Sequence, residues 1–189
     1  MKDNELDESN FYRKAIVGAL NRALYYCGEP IANHSKRVGI LAGSLAAQID
    51  PDRPGRLLIA QAGIVRDAVK LGIGPAILAK TGLLTPDERT EAQRRSAIGG
   101  EMLLDISPTW PLAVGVRVHY ERCDGTGYPD GLLGGGISLS GRLLVYTDVY
   151  DALTSPWMYR NSHYTSSEAT TYLEEHAVTQ IDPQVLADI

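Results

Sequence analysis

The stretch His34-Ser35-Lys36-Arg37-Val38-Gly39-Ile40-Leu41-Ala42-Gly43-Ser44-Leu45-Ala46-Ala47-Gln48-Ile49 decides the fold class. Val38, Leu41, Ala42, Leu45 and Ile49 recur at steps of three and four, which puts their side chains on one face of an α-helix. Leu58, Ala62, Val65 and Val69 repeat the pattern on a second helix, entered after Pro51 and Pro54. Upstream, Ile16, Leu20, Ala23 and Leu24 line a helix over Phe11 to Cys27 that Gly28 and Pro30 bring to an end. Downstream, Thr85-Pro86-Asp87-Glu88 carries a capping threonine, a first-turn proline and a reciprocal glutamate, opening a helix to about Leu104. Further helices are expected from about Trp110 to Arg122, from about Leu139 to Leu153 and, after the capping box Thr165-Ser166-Ser167-Glu168, to about Val178. Asp182-Pro183 starts a last short one. No continuous β-alternation interrupts this series, so the expected fold class is all-α, with seven to eight helices in one domain.

Composition narrows the function classes. The chain has 189 residues, 18 basic and 23 acidic side chains, a formal charge of −5, 44% apolar residues and 22% charged ones. These are the proportions of an ordinary folded domain. The acidic balance argues against a general nucleic-acid binder, which needs a basic patch. Two cysteines, Cys27 and Cys123, cannot make a disulfide scaffold. No apolar run reaches the roughly 18 residues of a membrane span, and Met1-Lys2-Asp3-Asn4-Glu5 is too polar for a signal peptide. The expectation is a soluble cytoplasmic protein with no nucleic-acid partner and no membrane span.

Four polar residues fall on faces that should be apolar. His34 lies in line with Val38, Leu41 and Leu45; Asp67 lies between Val65 and Val69; His119 follows Val116; and Asp148 follows Leu144 by four. Burying such groups is costly unless they are paired, hydrogen-bonded or metal-bound. Singly, each reads as a satisfied structural group, and only the set lifts the argument. His163 and His176 stand in polar surroundings and read as exposed. The Asp124 to Gly141 segment holds seven of the 19 glycines and must be an irregular loop.

The stretch His119-Tyr120-Glu121-Arg122-Cys123-Asp124-Gly125-Thr126-Gly127-Tyr128-Pro129-Asp130-Gly131 resembles the signature of the HD-GYP family, a branch of the HD phosphohydrolases that cleaves cyclic di-GMP. His34-Ser35-Lys36-Arg37-Val38 resembles its first metal-binding helix, Asp67-Ala68-Val69-Lys70 its HD helix, and Asp148-Val149-Tyr150-Asp151-Ala152-Leu153 its closing acidic motif, with Tyr159-Arg160 beyond. The resemblance spans about residues 30 to 189, leaving residues 1–29 as a helix leading into the domain. It implies a single HD-type helical domain with a glycine-rich GYP loop and two or three metal ions that acidify a bridging water. It assigns His34, Asp67, His119 and Asp148 as metal ligands. Asp67 and Lys70 are its catalytic residues, and Lys70, Gly127, Tyr128, Pro129 and Arg160 its substrate contacts.

The sequence departs from that pattern at its ligands. Arg66, Arg95 and Tyr120 stand where the resembling family carries histidines. Arginine stays protonated and offers five donors and no lone pair, so it cannot ligate a metal. Arg66 and Arg95 could pair with Asp67 and Asp148, take a phosphate in bidentate fashion, or turn to solvent as charged residues mostly do; for Arg95 solvent and pocket weigh equally, and for Arg66, wedged between Val65 and Asp67, the pocket is favoured. The expected cofactor is therefore none, or a single divalent ion such as iron or manganese. The expected role is a degenerate domain of bacterial cyclic di-GMP signalling with phosphodiesterase activity weak or lost. It would bind the nucleotide or dock a partner such as a diguanylate cyclase; the alternative is an active enzyme with a reduced metal site.

Overall fold

The computed structural model describes residues 2–49, 55–72, 80, 85–106, 111–156 and 163–188, with backbone alone at 2–10, 69, 72, 92, 95, 96 and 111. Its described residues form eight α-helices and no strands: α1 (Lys2–Cys27), α2 (Glu29–Ile49), α3 (Arg56–Val65), α4 (Pro86–Ile106), α5 (Pro111–Val118), α6 (Leu139–Thr154), α7 (Ser166–Glu175) and α8 (Pro183–Ala187). Two 3₁₀ segments, Arg66–Gly72 and Gly134–Gly136, complete the regular structure. No helix among the described residues is long and apolar enough to cross a membrane.

The helical stripes read from the sequence meet in one core. Val38, Ala42 and Ala46 of α2 pack with Ile59, Ala62 and Val65 of α3, with Leu112 and Val116 of α5, and with Leu143 and Leu144 of α6. Both capping boxes form. Glu88 accepts from the Thr85 backbone at 2.7 Å and Thr85 Oγ1 from the Glu88 backbone at 3.3 Å; Thr165 and Glu168 repeat the pair at the same two distances. Each box satisfies helix donors that have no partner inside the helix.

Several boundaries differ from the periodicity reading. α1 begins at Lys2, not Phe11; its first turns are polar and carry no apolar stripe for periodicity to follow. The second periodic helix stops at Val65, and Asp67 lies on the 3₁₀ segment that follows. Two side-chain contacts suit that tighter winding: Arg66 Nη1 donates back to Gly63 O at 2.9 Å, and Lys70 pairs with Asp67 three residues before it. α5 ends at Val118, not Arg122, where Glu121 N donates to Val118 O and the chain turns away. α7 ends at Glu175, not Val178; the His176 ring then donates from Nδ1 to Tyr172 O at 2.7 Å, and that residue is half-buried rather than exposed.

The closest helix pair is α2 with α3, and glycine sets the spacing. A Cβ at Gly39 would lie 2.6 Å from Ala60 O and 2.6 Å from Ile64 Cγ1, and one at Gly63 would lie 2.7 Å from Gly39 Cα. Only bare backbone permits this approach, which brings His34 and Ser35 of α2 within reach of the residues just past α3. Gly39→Ala should therefore cost stability by about 1–3 kcal/mol through overpacking. Gly18→Ala, where no atom lies within 4 Å of the added methyl, should gain about 0.5–1 kcal/mol on a helix interior. Urea denaturation of the two variants beside the wild type checks both signs.

Candidate functional site

Three elements deliver charged side chains to one interior point. α2 supplies His34 and Ser35, the 3₁₀ segment supplies Arg66, Asp67 and Lys70, and α6 supplies Asp148 and Asp151, three apart on one helix face. His119 and Tyr120 close the site from just past α5.

Arg66 occupies the middle, at 0% exposure. Its Nη2 lies 2.6 Å from His34 Nε2 and 3.2 Å from Asp67 Oδ2, and donates to Asp148 Oδ1. Its Nη1 is held by Gly63 O, and its Nε has no hydrogen-bond partner among the described residues. One nitrogen thus touches three of the four residues assigned as metal ligands. Asp67 accepts further from Ser35 Oγ at 3.0 Å and from Lys70 Nζ at 2.6 Å.

His34 is gripped from both ring nitrogens. Nδ1–H donates to Asp151 Oδ2 at 2.6 Å, and Nε2 lies 2.9 Å from Asp148 Oδ1. Asp151 is in turn fixed by Arg37, whose Nε and Nη2 donate at 2.7 and 2.9 Å, and by Ser155 Oγ at 3.1 Å. Burial opposes charge on His34, but the carboxylates of Asp148 and Asp151 outweigh it and raise its pKa. Burial likewise opposes charge on Asp67 and Asp148, yet the Arg66 guanidinium holds both well below the usual carboxylate range, helped by Lys70 at Asp67 and by His34 at Asp148.

His119 differs. Its Nδ1–H donates to Val116 O at 2.5 Å, leaving the Nε2 lone pair buried and without a hydrogen-bond partner among the described residues. Burial, reinforced by Arg66, pushes its pKa down to about 4, so the ring is neutral at ordinary pH. Tyr120 stacks on Tyr128, with ring centroids 5.0 Å apart, and lies tilted against His119 at 3.9 Å. Burial first, then the nearby Asp67 and Asp148, raise the Tyr120 phenol above its ordinary value, against metal-binding phenolate chemistry.

The GYP loop leans on Glu121, a carboxylate at 1% exposure that accepts from Asp130 N at 2.7 Å and Leu132 N at 2.9 Å. Tyr128 N donates to Tyr120 O at 3.2 Å, and a Cβ at Gly127 would overlap the backbone of Glu121 and Arg122. Pro129 follows a cis peptide bond. Asp124 orders the entry to the loop by accepting from Thr126 N at 2.9 Å and from Arg122. Gly127, Tyr128 and Pro129 thus form a wall beside Tyr120. The Arg95 side chain and all of Arg160 lie outside the described residues.

The donor set does not fit a two-metal centre. His34, Asp67 and Asp148 converge on a guanidinium nitrogen that has no lone pair to share and repels a divalent ion. Among the described residues, no cluster of three or more His, Cys, Asp or Glu side chains is arranged to hold a metal. Arg66 offers no free fork to an incoming phosphate, because its donors point inward. Sequence reasoning gave no role to Asp151, Arg37, Ser35 or Glu121. A signal for Asp151 was present, because it falls three residues after Asp148 on the face that meets His34. Glu121 had none, because its partners are backbone groups of a loop.

The HD domain family model matches residues 22–185. The 3′3′-cGAMP-specific phosphodiesterase 3 of Vibrio cholerae is 34% identical over 93% of this chain and 38% of its own length. The cyclic di-GMP phosphodiesterase response regulator RpfG of Xanthomonas campestris is 33% identical over 96% of this chain and 47% of its own. The chain therefore spans less than half the length of either relative. Among solved structures, an HDG"Y"P protein from Bdellovibrio bacteriovorus superposes with a TM-score of 0.65 at 17% identity, covering 82% of this chain and 49% of that one. A cyclic GMP-AMP specific phosphodiesterase of Vibrio cholerae does so with 0.66 at 16%, covering 92% and 46%. At those identities the superpositions speak for the fold alone. With the family match running from α1 into α8 over most of the chain, the chain belongs to the HD domain family, as a member of its HD-GYP branch.

Proposed function

We propose that this chain is a non-hydrolysing HD-GYP domain that acts in bacterial cyclic-dinucleotide signalling as a regulator in the cytoplasm. The observation that carries the reading is Arg66 Nη2 seated among His34, Asp67 and Asp148. Catalysis by metals would need those three groups free to ligate, whereas here each already has a permanent cation. Tyr120 adds to this by stacking on Tyr128, where the resembling family has a second ligand histidine. What survives is shape: a GYP loop held by Glu121, with Lys70 near its tyrosine. That surface supports binding of a cyclic dinucleotide or docking of a signalling protein such as a diguanylate cyclase, with Lys70, Tyr128 and Arg160 as the nucleotide contacts.

A second reading has one observation in its favour. The unpartnered lone pair on His119 Nε2 is what a ligand histidine would present, and the relatives are named as phosphodiesterases. On that reading a single iron or manganese ion at a reduced site supports slow hydrolysis, with Asp67 required.

Elemental analysis and a turnover assay separate the two. The wild-type chain, purified without chelators, should carry well under one metal per chain. It should leave cyclic di-GMP and 3′3′-cGAMP uncut in the presence of manganese or iron. Metal-dependent turnover that disappears in Asp67→Ala would establish the second reading instead.

The ion network also sets how stability depends on pH. His119 has a folded pKa below its unfolded value of about 6.5, so its contribution is present above that pH and is lost as pH falls toward 4. His34 is raised, so its contribution is full below about pH 6.5 and is lost as pH climbs through its folded value. Denaturation midpoints measured from pH 4 to 9 should peak between the two limbs. The acid limb should be worth roughly 3 kcal/mol for a shift of this size and should flatten in His119→Gln.

A further inference from the structure

We infer that the Arg66 guanidinium is the structural cation of this domain, holding α2, the 3₁₀ segment and α6 together in the place where the donor groups would otherwise meet a metal ion. The inference rests on the non-hydrolysing reading above and goes beyond it, because loss of catalysis alone would not require Arg66 to support the fold.

Three features carry it. The contacts of Nη2 come from three separate elements, His34 from α2, Asp67 from the 3₁₀ segment and Asp148 from α6. Nη1 adds a bond to the last turn of α3 through Gly63 O. One side chain therefore ties its own 3₁₀ segment to α2, α6 and the end of α3 by directional contacts, as a coordinated ion would. Its depth is the second feature. Lys70 and Arg37 also pair with carboxylates here, but their side chains are 19% and 43% exposed, whereas that of Arg66 is 1% exposed. Arg66 is the interior cation of the group, and the others lie at its rim. The third feature is the unsatisfied Nε, which forgoes a hydrogen bond inside the protein. Leaving a buried donor unpaired costs stability, and the ion contacts are what outweigh that cost and keep the side chain inside.

Removing the central partner from such a group leaves the others short of opposite charge in a poorly solvated place, which destabilises far more than replacing the whole group. Arg66→Met keeps an unbranched apolar stem but lacks the guanidinium, so it removes the central cation and leaves Asp67 with Lys70 alone and Asp148 with His34 alone. The same change removes the guanidinium from among His34 Nε2, Asp67 Oδ2 and Asp148 Oδ1, a donor set of the kind that takes manganese or zinc. A divalent ion should then do for the variant what it cannot do for the wild type.

The test uses the full chain and thermal melting, with no nucleotide present. The wild-type melting temperature should be unchanged by EDTA and by added manganese. Arg66→Met should melt on the order of 10 °C lower, and added manganese should recover several degrees of that loss. If Arg66→Met is insoluble, Arg66→Met with Asp67→Asn and Asp148→Asn, which removes the carboxylate charges along with the cation, should restore a folded chain. An Arg66→Met chain as stable as wild type would overturn the inference while leaving the non-hydrolysing reading intact, as would a triple variant no more soluble than the single one. A wild-type chain destabilised by EDTA would overturn it as well. Turnover by the wild type would defeat the functional reading by a separate measurement.

Discussion

Everything at the centre of this domain depends on a buried guanidinium meeting two aspartates and a histidine. A charge of that kind cannot remain in the interior unless its partners are close and well aligned, because the desolvation cost of each ion exceeds what a loose contact returns. Here the alignment comes from the helix spacing. α2 and α3 approach with no side chain between Gly39 and Gly63, and α6 lays Asp148 and Asp151 along the same line of sight. The core glycines and the ion network are therefore one construction: loosen the first and the second loses its geometry.

The network also divides its members by role. Asp151 reaches the centre only through His34, as the carboxylate that fixes the imidazole's Nδ1–H, and it is anchored in turn by Arg37 and Ser155. In metal proteins the same arrangement orients a ligand histidine toward its ion. In this chain it orients His34 Nε2 toward Arg66 and Asp148. The supporting carboxylate has stayed in its place around a centre whose cation is made of protein.

Much of this was legible in the sequence. The apolar stripe of α2, the part of the next stripe that falls on α3 and the two capping boxes are local signals, and each is realised in the fold. Arg66, wedged between Val65 and Asp67, was the arginine whose place in the pocket the sequence favoured, and it is fully buried. Other features depended on tertiary context. The change from α-helix to 3₁₀ winding at Arg66 follows from where that side chain bonds, and periodicity carries no trace of it. The early end of α5 has a similar cause, because the backbone after Val118 is drawn into the GYP loop. Glu121 was the hardest to read: a carboxylate whose partners are backbone amides nine and eleven residues on leaves no pattern in the letters.

Glu121 bears on how such domains are recognised at all. Its two backbone acceptor bonds, the seat of Gly127 on residues 121 and 122, and the Tyr120–Tyr128 stack are all contacts within one short run of chain. None of them passes through His34, Asp67 or Asp148. The loop is thus a self-templating module, and its spelling answers to folding demands that persist whatever the neighbouring centre does. A Gly-Tyr-Pro read at 127–129 reports the contour of a surface; the chemistry beneath it has to be read from the side chain at position 66.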